Sequence, residues 1–297
     1  MTDFSYRFPI SGVETNVFLP PAVAFIISFF TSMAGMSGAF LILPFQMSVL
    51  GFTSPSVSAT NFVYNIVSIP SGAYRYFKEG RMAWPLVTAI VLGTIPGVLA
   101  GYMIRVIYLP DPRSFKIFVG WVLLFLGIKM LYEALCVRSQ GISAGHRGTG
   151  EGIRWISSSI RRAEFELWGE RFSYLPSSLF ALSLVVGMIG GVYGIGGGAI
   201  IAPFMIAVLR LPVYAVAGAA LMATMIASAA GVLIYSLVPS PTGINAVPDW
   251  LLGALFGLGG FAGMYLGART QKHVPERIMK FVLGLLIIGL GGDYIIG

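Results

Sequence analysis

Long apolar runs separated by short polar segments fill almost the whole chain. They cover approximately residues 18–50, 55–77, 82–108 and 114–136 in the first half, and 175–209, 212–238, 247–268 and 275–296 in the second. Charged residues inside the runs, such as Lys129, Glu133 and Asp293, lie near their ends. A helix that crosses a bilayer needs about 20 apolar residues, whereas strands of a membrane barrel appear as alternating segments of about 10 residues. The pattern therefore predicts an all-α integral membrane protein.

Composition supports the same class. Of the 297 residues, 56 % are hydrophobic and 10 % are charged, whereas a soluble domain carries roughly 25 % charged residues. The net charge of +7 does not indicate a nucleic-acid partner, because the basic residues lie between apolar runs and form no patch interleaved with aromatic residues. Cationic loops on one side of a membrane explain this charge better.

The second half of the chain repeats the first. A shift of 159 residues gives ten identities over the 46 ungapped positions 31–76. They include two glycines, a proline and the phenylalanine that follows it. Gly35, Gly38, Pro44 and Phe45 fall on Gly194, Gly197, Pro203 and Phe204. Slightly different shifts then align later positions, pairing Trp84, Gly93, Gly97 and Gly101 with Trp250, Gly259, Gly263 and Gly267, and Lys116, Gly120 and Gly127 with Lys280, Gly284 and Gly291.

This repeat divides the chain into three parts. We expect a first membrane repeat over residues 18–136, a cytoplasmic linker over 137–174 and a second membrane repeat over 175–297. Within the linker, residues 141–152 are rich in glycine and polar residues, which is typical of a flexible connection. Residues 153–168 could form an amphipathic helix at the membrane interface or a solvated loop.

Basic residues predict how the repeats face the membrane. Cytoplasmic loops carry an excess of lysine and arginine. The loops around Arg75–Arg81 and Arg269–Lys280 and the arginine-rich linker can all lie inside only if the first run of each repeat turns back within the membrane. Arg105, Arg113 and Lys116 then fall outside and count against this arrangement. We expect two inverted-topology repeats, six to eight crossings, and a broken or re-entrant first helix in each repeat.

The first run of each repeat is interrupted by small residues, and these breaks are the first candidate site. A broken helix exposes backbone N–H groups at its inner start, where its dipole is positive, and glycine lets an anion approach them closely. The alternative is close helix packing through small residues. The break residues, with the tyrosine beside the second break, are Gly35, Ser37 and Gly38 in the first repeat and Tyr193, Gly194, Gly196, Gly197 and Gly198 in the second.

Polar side chains in the second run of each repeat complete the candidate site. Asn61 and Asn65 share a helix face, with Tyr64 adjacent, and Thr224 and Ser228 share a face in the other repeat. Amides inside a membrane are costly without partners, so they either bond to neighbouring helices or line a polar cavity. Arg75 and Arg105 lie near span ends and could attract anions or act as snorkelling anchors.

Other kinds of chemistry find no support in the sequence. The chain shows no cysteine and histidine cluster with metal-site spacing, no serine–histidine–acid set and no phosphate-binding loop. No aspartate, glutamate or histidine lies in the middle of a run, where a proton relay would place one. We therefore expect no catalytic residue, no metal, no cofactor and no enzymatic activity. A cavity of amides, hydroxyls and glycine N–H groups suits an anion better than a cation.

The motif G-I-G-G-G-A-I-I-A-P at Gly194–Pro203 has a degenerate copy, G-M-S-G-A-F-L-I-L-P, at Gly35–Pro44, and the next run of the first repeat contains S-A-T-N at Ser58–Asn61. In these residues the sequence resembles the TauE/SafE sulfite exporter family. The resemblance spans approximately residues 18–296 outside the linker. It implies movement of a sulfur-containing anion such as sulfite, thiosulfate or an organosulfonate. Ser37 and Ala39 replace two glycines of the motif, so the two half-sites are expected to be unequal.

These observations favour a secondary transporter, located in the inner membrane as a multi-pass protein, that binds a small sulfur-containing anion between the repeats and works by alternating access. A carrier of a different solute, cationic or neutral, is an alternative on the same scaffold. A non-transporting membrane scaffold subunit is another. The partners expected are the anion and the lipid bilayer, with no nucleic acid. The glycine faces at Gly93–Gly101 and Gly259–Gly267 could mediate a homodimer or pack within one chain.

Overall fold

Ten helices and five short strands make up the part of the chain that the structure, a computed structural model, describes. It covers residues 4–33, 36–78, 82–135, 154–158, 163–167, 170–207, 211, 213–270, 274 and 276–296. The first half holds β1 (Ser5–Arg7), β2 (Glu14–Asn16), α1 (Leu19–Met33), α2 (Ala39–Ser48), α3 (Ser56–Lys78), α4 (Trp84–Ile107) and α5 (Pro112–Leu135). The remainder holds β3 (Arg154–Ser158), β4 (Ala163–Leu167), β5 (Glu170–Tyr174), α6 (Pro176–Tyr193), α7 (Gly198–Ala207), α8 (Val213–Leu237), α9 (Trp250–Thr270) and α10 (Glu276–Ile296).

Local sequence explains where several helices begin and end. Asp111 precedes α5 and accepts a hydrogen bond from the backbone N–H of Ser114 at 2.9 Å, which is an N-cap contact. Asp249 caps α9 in the same way through the N–H of Leu252. Helix α6 ends where Gly194 takes a left-handed φ of 84°, a conformation that glycine adopts without a steric penalty.

Six of the helices are long and apolar enough to cross a membrane: α4, α5, α6, α9, and the stretches Val216–Leu237 of α8 and Arg277–Ile296 of α10. The expected all-α membrane fold is confirmed. Helix α3 has 23 residues but is more polar, while α1 and α2 are shorter apolar helices of 15 and 10 residues. The two breaks predicted from the small residues separate α1 from α2 and α6 from α7.

Glycine seams hold the helices together. Gly93, Gly97 and Gly101 of α4 lie against the backbone of Phe180, Leu184 and Met188 of α6, and Gly259, Gly263 and Gly267 of α9 lie against Pro21, Phe25 and Phe29 of α1. In each seam the two helices run parallel to each other, and neither seam leaves room for a Cβ. The backbones therefore approach as closely as in small-residue membrane contacts. The glycine faces therefore pack within the chain, which is one of the two alternatives that the sequence left open.

Helices that are equivalent in the two repeats pack antiparallel. Gly120 of α5 meets Gly291 of α10, and Gly127 meets Gly284. Phe62 of α3 covers Gly231 of α8, while Gly72 lies beside Leu221. Sequence numbers rise along one helix as they fall along the other. Equivalent elements therefore run in opposite directions at both places.

The duplicated sequence also folds alike locally. The hydrogen bond from the N–H of Met36 to Thr31 O recurs from Ile195 to Gly190 O, and that from Leu41 to Gly38 O recurs from Ile200 to Gly197 O. The bond from Phe52 to Gln46 O recurs from Leu211 to Met205 O. Every pair obeys the shift of 159 residues.

The first segment of each repeat turns back on itself. Helix α1 runs parallel to α9, and α3 also runs parallel to α9, since Gly253 contacts Val63 and Gly257 contacts Val67. Because α1 and α3 point the same way, α2 must return the chain to the end at which α1 began. The ends of the described helices therefore form two groups. One is a basic end, which includes Lys78, Arg269 and the described strands of the linker. The other is the opposite end, which includes the N-terminal hairpin.

The linker differs from both of its predicted conformations. In its described part, β3, β4 and β5 form an antiparallel three-stranded sheet in the order β3-β4-β5, so the amphipathic helix proposed for residues 153–168 is wrong. Alternation of polar and apolar residues along β4, with Phe165 buried and Glu164 and Glu166 half-buried, is the strand period of two. The glycine-rich residues 141–152 lie outside the described residues.

Charged residues inside the last apolar runs form one network. Lys129 Nζ lies 2.9 Å from Glu133 Oε1, and Lys280 Nζ lies 2.8 Å from Glu133 Oε2. The network joins α5 to α10 near the basic end. Mutual pairing offsets the cost of placing these charges in a largely apolar pair of helices.

Candidate functional site

A buried polar stripe on α3 forms the centre of the candidate site. Ser58, Asn61, Asn65 and Ser68 follow one another at helical spacing, and each is 0 % exposed. The stripe explains why α3 is the least apolar of the long helices in the first repeat. It faces the two breaks, so the most polar helix of one repeat meets the broken segments of both.

Asn61 joins the two breaks through a single amide. Its Nδ2 donates to Ala39 O at 2.9 Å and to Gly194 O at 3.2 Å. Ala39 begins α2 and Gly194 ends α6. The start of α2 and the end of α6 are therefore held next to the same side chain, although they are separated by more than 150 positions in the sequence.

Asn65 and Tyr64 fix the first break. Ser37 Oγ donates to Asn65 Oδ1 at 2.9 Å and receives the N–H of Ala39 at 3.3 Å. Asn65 Nδ2 is thereby turned away from Ser37. The hydroxyls of Tyr64 and Ser28 lie 2.8 Å apart, and Tyr64 covers Gly38 so closely that a Cβ there would clash with the phenol oxygen.

The second break is built from glycines in left-handed conformations. Gly194, Gly196 and Gly197 have φ of 84°, 68° and 84°, which costs roughly 1–2 kcal/mol for a residue with a Cβ. Gly196 and Gly198 pack directly on Thr224 of α8, and Gly196 also meets the Ser228 hydroxyl. Thr224 occupies the repeat position of Asn65, so both breaks rest on equivalent side chains.

Three further hydroxyls tie the second break to the first repeat and to α8. Pro44 lacks an N–H and so leaves Phe40 O without its helical donor; Tyr193 Oη supplies one at 2.8 Å. Ser58 Oγ donates to Val192 O at 2.7 Å, and Tyr235 Oη donates to Gly191 O at 2.8 Å.

Several buried polar atoms around the breaks have no hydrogen-bond partner among the described residues. They are Asn61 Oδ1, Asn65 Nδ2, Ser68 Oγ and Ser228 Oγ. A buried polar group without a partner costs roughly 1–3 kcal/mol, and native proteins leave few of them. Their concentration on facing surfaces of α3 and α8 marks a place where a polar ligand or water completes the hydrogen bonds.

The electrostatics of the site favour negative charge. Helices α2 and α7 both begin here, at Ala39 and Gly198, and the first N–H groups of a helix have no partner within it. Their dipoles place partial positive charge at the same point. None of the side chains named around the breaks is a carboxylate, and Asn65 Nδ2 can only donate.

The structure brings the predicted site residues together. Ser37, Gly38, Asn61, Tyr64, Asn65, Tyr193, Gly194, Gly196, Gly197, Gly198, Thr224 and Ser228 all lie in this cluster, and Gly35 lies outside the described residues. Tyr64, Tyr193 and Thr224 use their hydroxyls within the protein, the last by donating to Ala220 O at 2.6 Å. Ser28 and Ser68 also belong to this cluster and were not predicted from the sequence. Ser68 could have been found from its spacing of three residues after Asn65.

Arg105 does not behave as a snorkelling anchor. Its side chain is fully buried, its guanidinium donates to Leu109 O and to Thr53 O, and it lies 3.7 Å from the centre of the Phe115 ring. A snorkelling arginine would instead extend its charged group into water. That interpretation of Arg105 is wrong, and the side chain of Arg75 lies outside those that the structure describes.

A helical membrane fold with six candidate spans and a buried polar cluster between broken helices is compatible with a membrane transporter. A model of the family described as "Sulfite exporter TauE/SafE" matches residues 21–294, and the chain belongs to that family. A probable membrane transporter, YunE of Bacillus subtilis (strain 168), is 22 % identical over 88 % of this chain and 90 % of its own. No solved structure matches the chain.

Two further relatives agree with the family. A probable membrane transporter of Xylella fastidiosa (strain Temecula1) is 22 % identical over 89 % of both chains. The probable membrane transporter MamO of Paramagnetospirillum magneticum (strain AMB-1) is 25 % identical over 84 % of this chain but only 40 % of its own length. The protein is therefore a multi-pass membrane transporter of the TauE/SafE type, and this assignment implies a transport role, not an enzymatic one.

Proposed function

We propose that the protein carries a small sulfur-containing anion, such as sulfite or an organosulfonate, across the inner membrane. The anion binds between the two helix breaks. The observation that carries the proposal is the unpartnered Nδ2 of Asn65, a buried group that can only donate, on a side chain that Ser37 bonds at the start of α2. An oxyanion supplies the acceptors that this amide and the helix N–H groups lack.

The donor set favours a monoanion. The lining residues include amides, hydroxyls and glycines but no lysine or arginine, and partial charges from two helix ends offset about one unit of negative charge. A dianion would require more compensation when it leaves water. Asn61 Oδ1 is an unpartnered acceptor, which suits a ligand that also carries one O–H, as hydrogen sulfite does.

Alternating access would use the relation between the repeats. Equivalent helices α3 and α8, and α5 and α10, pack antiparallel, which supports an inverted arrangement in which the two repeats enter the membrane from opposite sides. The basic end then lies in the cytoplasm. Two inverted halves can exchange conformations around a site between them, and this exposes the site to each side in turn.

Flux into proteoliposomes tests the proposal. We expect saturable uptake of sulfite or a short sulfonate by the purified protein, with no uptake of small cations or neutral solutes of similar size. Empty liposomes and an Asn65→Asp variant serve as controls. Saturable flux of a cation or neutral solute without any anion flux would support the alternative carrier, and the absence of flux for every solute would support a scaffold role.

A further inference from the structure

We infer that Arg105 forms a second anion station, at the end of the molecule opposite the basic end, which receives the transported anion on its way to or from the central site. The inference rests on the proposed function, since it assigns a further residue to the same anion. It differs from that proposal in its location, because Arg105 lies on α4, near its last residue, and none of the helix breaks includes α4.

Arg105 is a buried cation without a counter-ion. It is 0 % exposed, and no carboxylate of the described residues forms a salt bridge with it. Its Nη1 and Nη2 donate to Leu109 O and Thr53 O, while its buried Nε has no hydrogen-bond partner in the described part of the chain. The Phe115 ring offers a cation–π contact at 3.7 Å. These neutral groups solvate the guanidinium but leave its charge uncompensated.

A buried charge without a counter-ion is costly, so a partner for Arg105 is expected. A charge in a low-dielectric interior is normally paired, because desolvation costs several kcal/mol. Asp111, the nearest acid along the chain, is already engaged as the cap of α5, since its Oδ2 accepts from the N–H and hydroxyl of Ser114. A mobile anion is therefore the partner that the surroundings of Arg105 lack.

A chain of polar groups leads from Arg105 to the central site. The Tyr235 ring packs edge-on against the ring of Tyr102, one helical turn before Arg105 on α4, with 4.8 Å between the ring centres. The Tyr235 hydroxyl donates to Gly191 O at the second break. Ser58 precedes Asn61 by one helical turn on the α3 stripe and binds the carbonyl of Val192 at the second break. The charge of Arg105 therefore lies toward the Ser58 end of the stripe, on the side of the site opposite the basic end.

Other basic residues at the same end do not share these features. Arg113 is exposed at the start of α5, and Lys116 lies over the Tyr294 ring with 5.7 Å between its Nζ and the ring centre. Arg113 consequently provides a matched control, because its removal takes one positive charge from the same end without altering a buried group.

Sided transport kinetics test the station. Half-saturating sulfite concentrations are measured from each face, in right-side-out and inside-out membrane vesicles, for the wild type and for Arg105→Gln, Arg105→Lys and Arg113→Gln. We expect Arg105→Gln to raise the value about tenfold, equivalent to about 1.4 kcal/mol, from the face where α4 ends, and to leave the other face nearly unchanged. Arg113→Gln should match the wild type.

The outcomes separate the two proposals. If wild-type vesicles show no saturable flux of sulfite or a sulfonate, the proposed function fails and the station fails with it. If wild-type flux is saturable and Arg105→Gln leaves both values unchanged, or raises both equally, the station alone is overturned. If the glutamine variant does not fold, Arg105→Lys decides: the lysine has no Nε–H, so a rise of about threefold from that face supports the station and an unchanged value overturns it.

Discussion

Asn65 is the side chain of the site whose chemistry is easiest to test, because one atom of its amide has a hydrogen-bond partner and the other does not. Its Oδ1 accepts from Ser37 and its Nδ2 has no partner. Replacing Nδ2 by a carboxylate oxygen changes a donor into a negative charge at the point where an anion should bind. The size and shape of the side chain stay the same.

Asn65→Asp should therefore abolish anion flux while the protein still folds and inserts. Asn245→Asp is the matched control, since Asn245 lies in the α8–α9 loop and its Oδ1 accepts from the N–H of Val247, a bond that aspartate preserves. Flux in proteoliposomes is the measurement. Full activity of Asn65→Asp would show that Nδ2 does not contact the substrate.

Gly197 tests the backbone of the second break. Its φ of 84° is strained for a residue with a Cβ, and a Cβ there would lie too close to Val186. Gly197→Val should therefore eliminate transport and retain membrane insertion. Gly289→Val is the control, because Gly289 lies in α10 with nothing within 4 Å of a Cβ. Equal transport by both variants would argue against a role for this break.

At the residue scale, the sequence predicts which residues form the site better than it predicts their hydrogen-bond partners. Asparagines are unusual in apolar runs, and the glycines at the breaks recur at the same spacing in both repeats, so both kinds of residue can be identified without a structure. The partners of Tyr64 and Tyr193 are Ser28 and the carbonyl of Phe40, which are remote in sequence. No local pattern encodes such contacts, because they depend on how the repeats pack together.

At the scale of elements, glycine seams decide which helices touch. Because Gly97 of α4 lies against the backbone of Leu184 and Gly187, Gly97→Leu should force α4 and α6 apart and destabilise the protein by about 1–3 kcal/mol or more, as overpacking does. Thermal unfolding in detergent measures the effect. Gly292→Leu, where nothing lies within 4 Å, should unfold like the wild type, and equal losses in both variants would contradict the seam.

The length of the apolar runs predicts the helices, and the small residues within two of the runs predict both breaks. Both signals lie in the local sequence, so they can be found without knowing the tertiary contacts. The linker was a different case. Its strands depend on alternation over only five residues each, which is too short to distinguish from an amphipathic or irregular segment. The destination of the glycine faces was likewise undecided by sequence, because a face that packs within a chain has the same composition as one that forms a dimer.

At the scale of the whole molecule, the repeats contribute unequally to one site. The second supplies glycines in left-handed conformations, whereas the first supplies the amides and hydroxyls of the α3 stripe. At the repeat positions of Ser58, Asn61 and Ser68 the second repeat has alanine. The repeats therefore differ in what they supply: the left-handed glycines come from the second repeat and the two amides from the first, while both provide hydroxyls.

The inverted arrangement predicts which positions share a side of the membrane. In a Cys136→Ser background, cysteines at Lys78 and Arg269 should resist a membrane-impermeant thiol reagent in intact cells, while cysteines at Tyr108 and Ser240 should react. All four should react after permeabilisation. Reaction of Lys78 and Arg269 variants from opposite sides would contradict the arrangement, since both lie at the basic end.

The central claim is that an oxyanion binds between the two helix breaks, and locating a heavy analogue tests it most directly. Selenite resembles sulfite and its selenium scatters anomalously, so a structure determined with selenite would reveal its position. We predict one selenium within hydrogen-bonding reach of the Asn65 amide and the start of α7 at Gly198, with the signal lost in Asn65→Asp. A selenium bound elsewhere, or none at concentrations that saturate transport, would contradict the account.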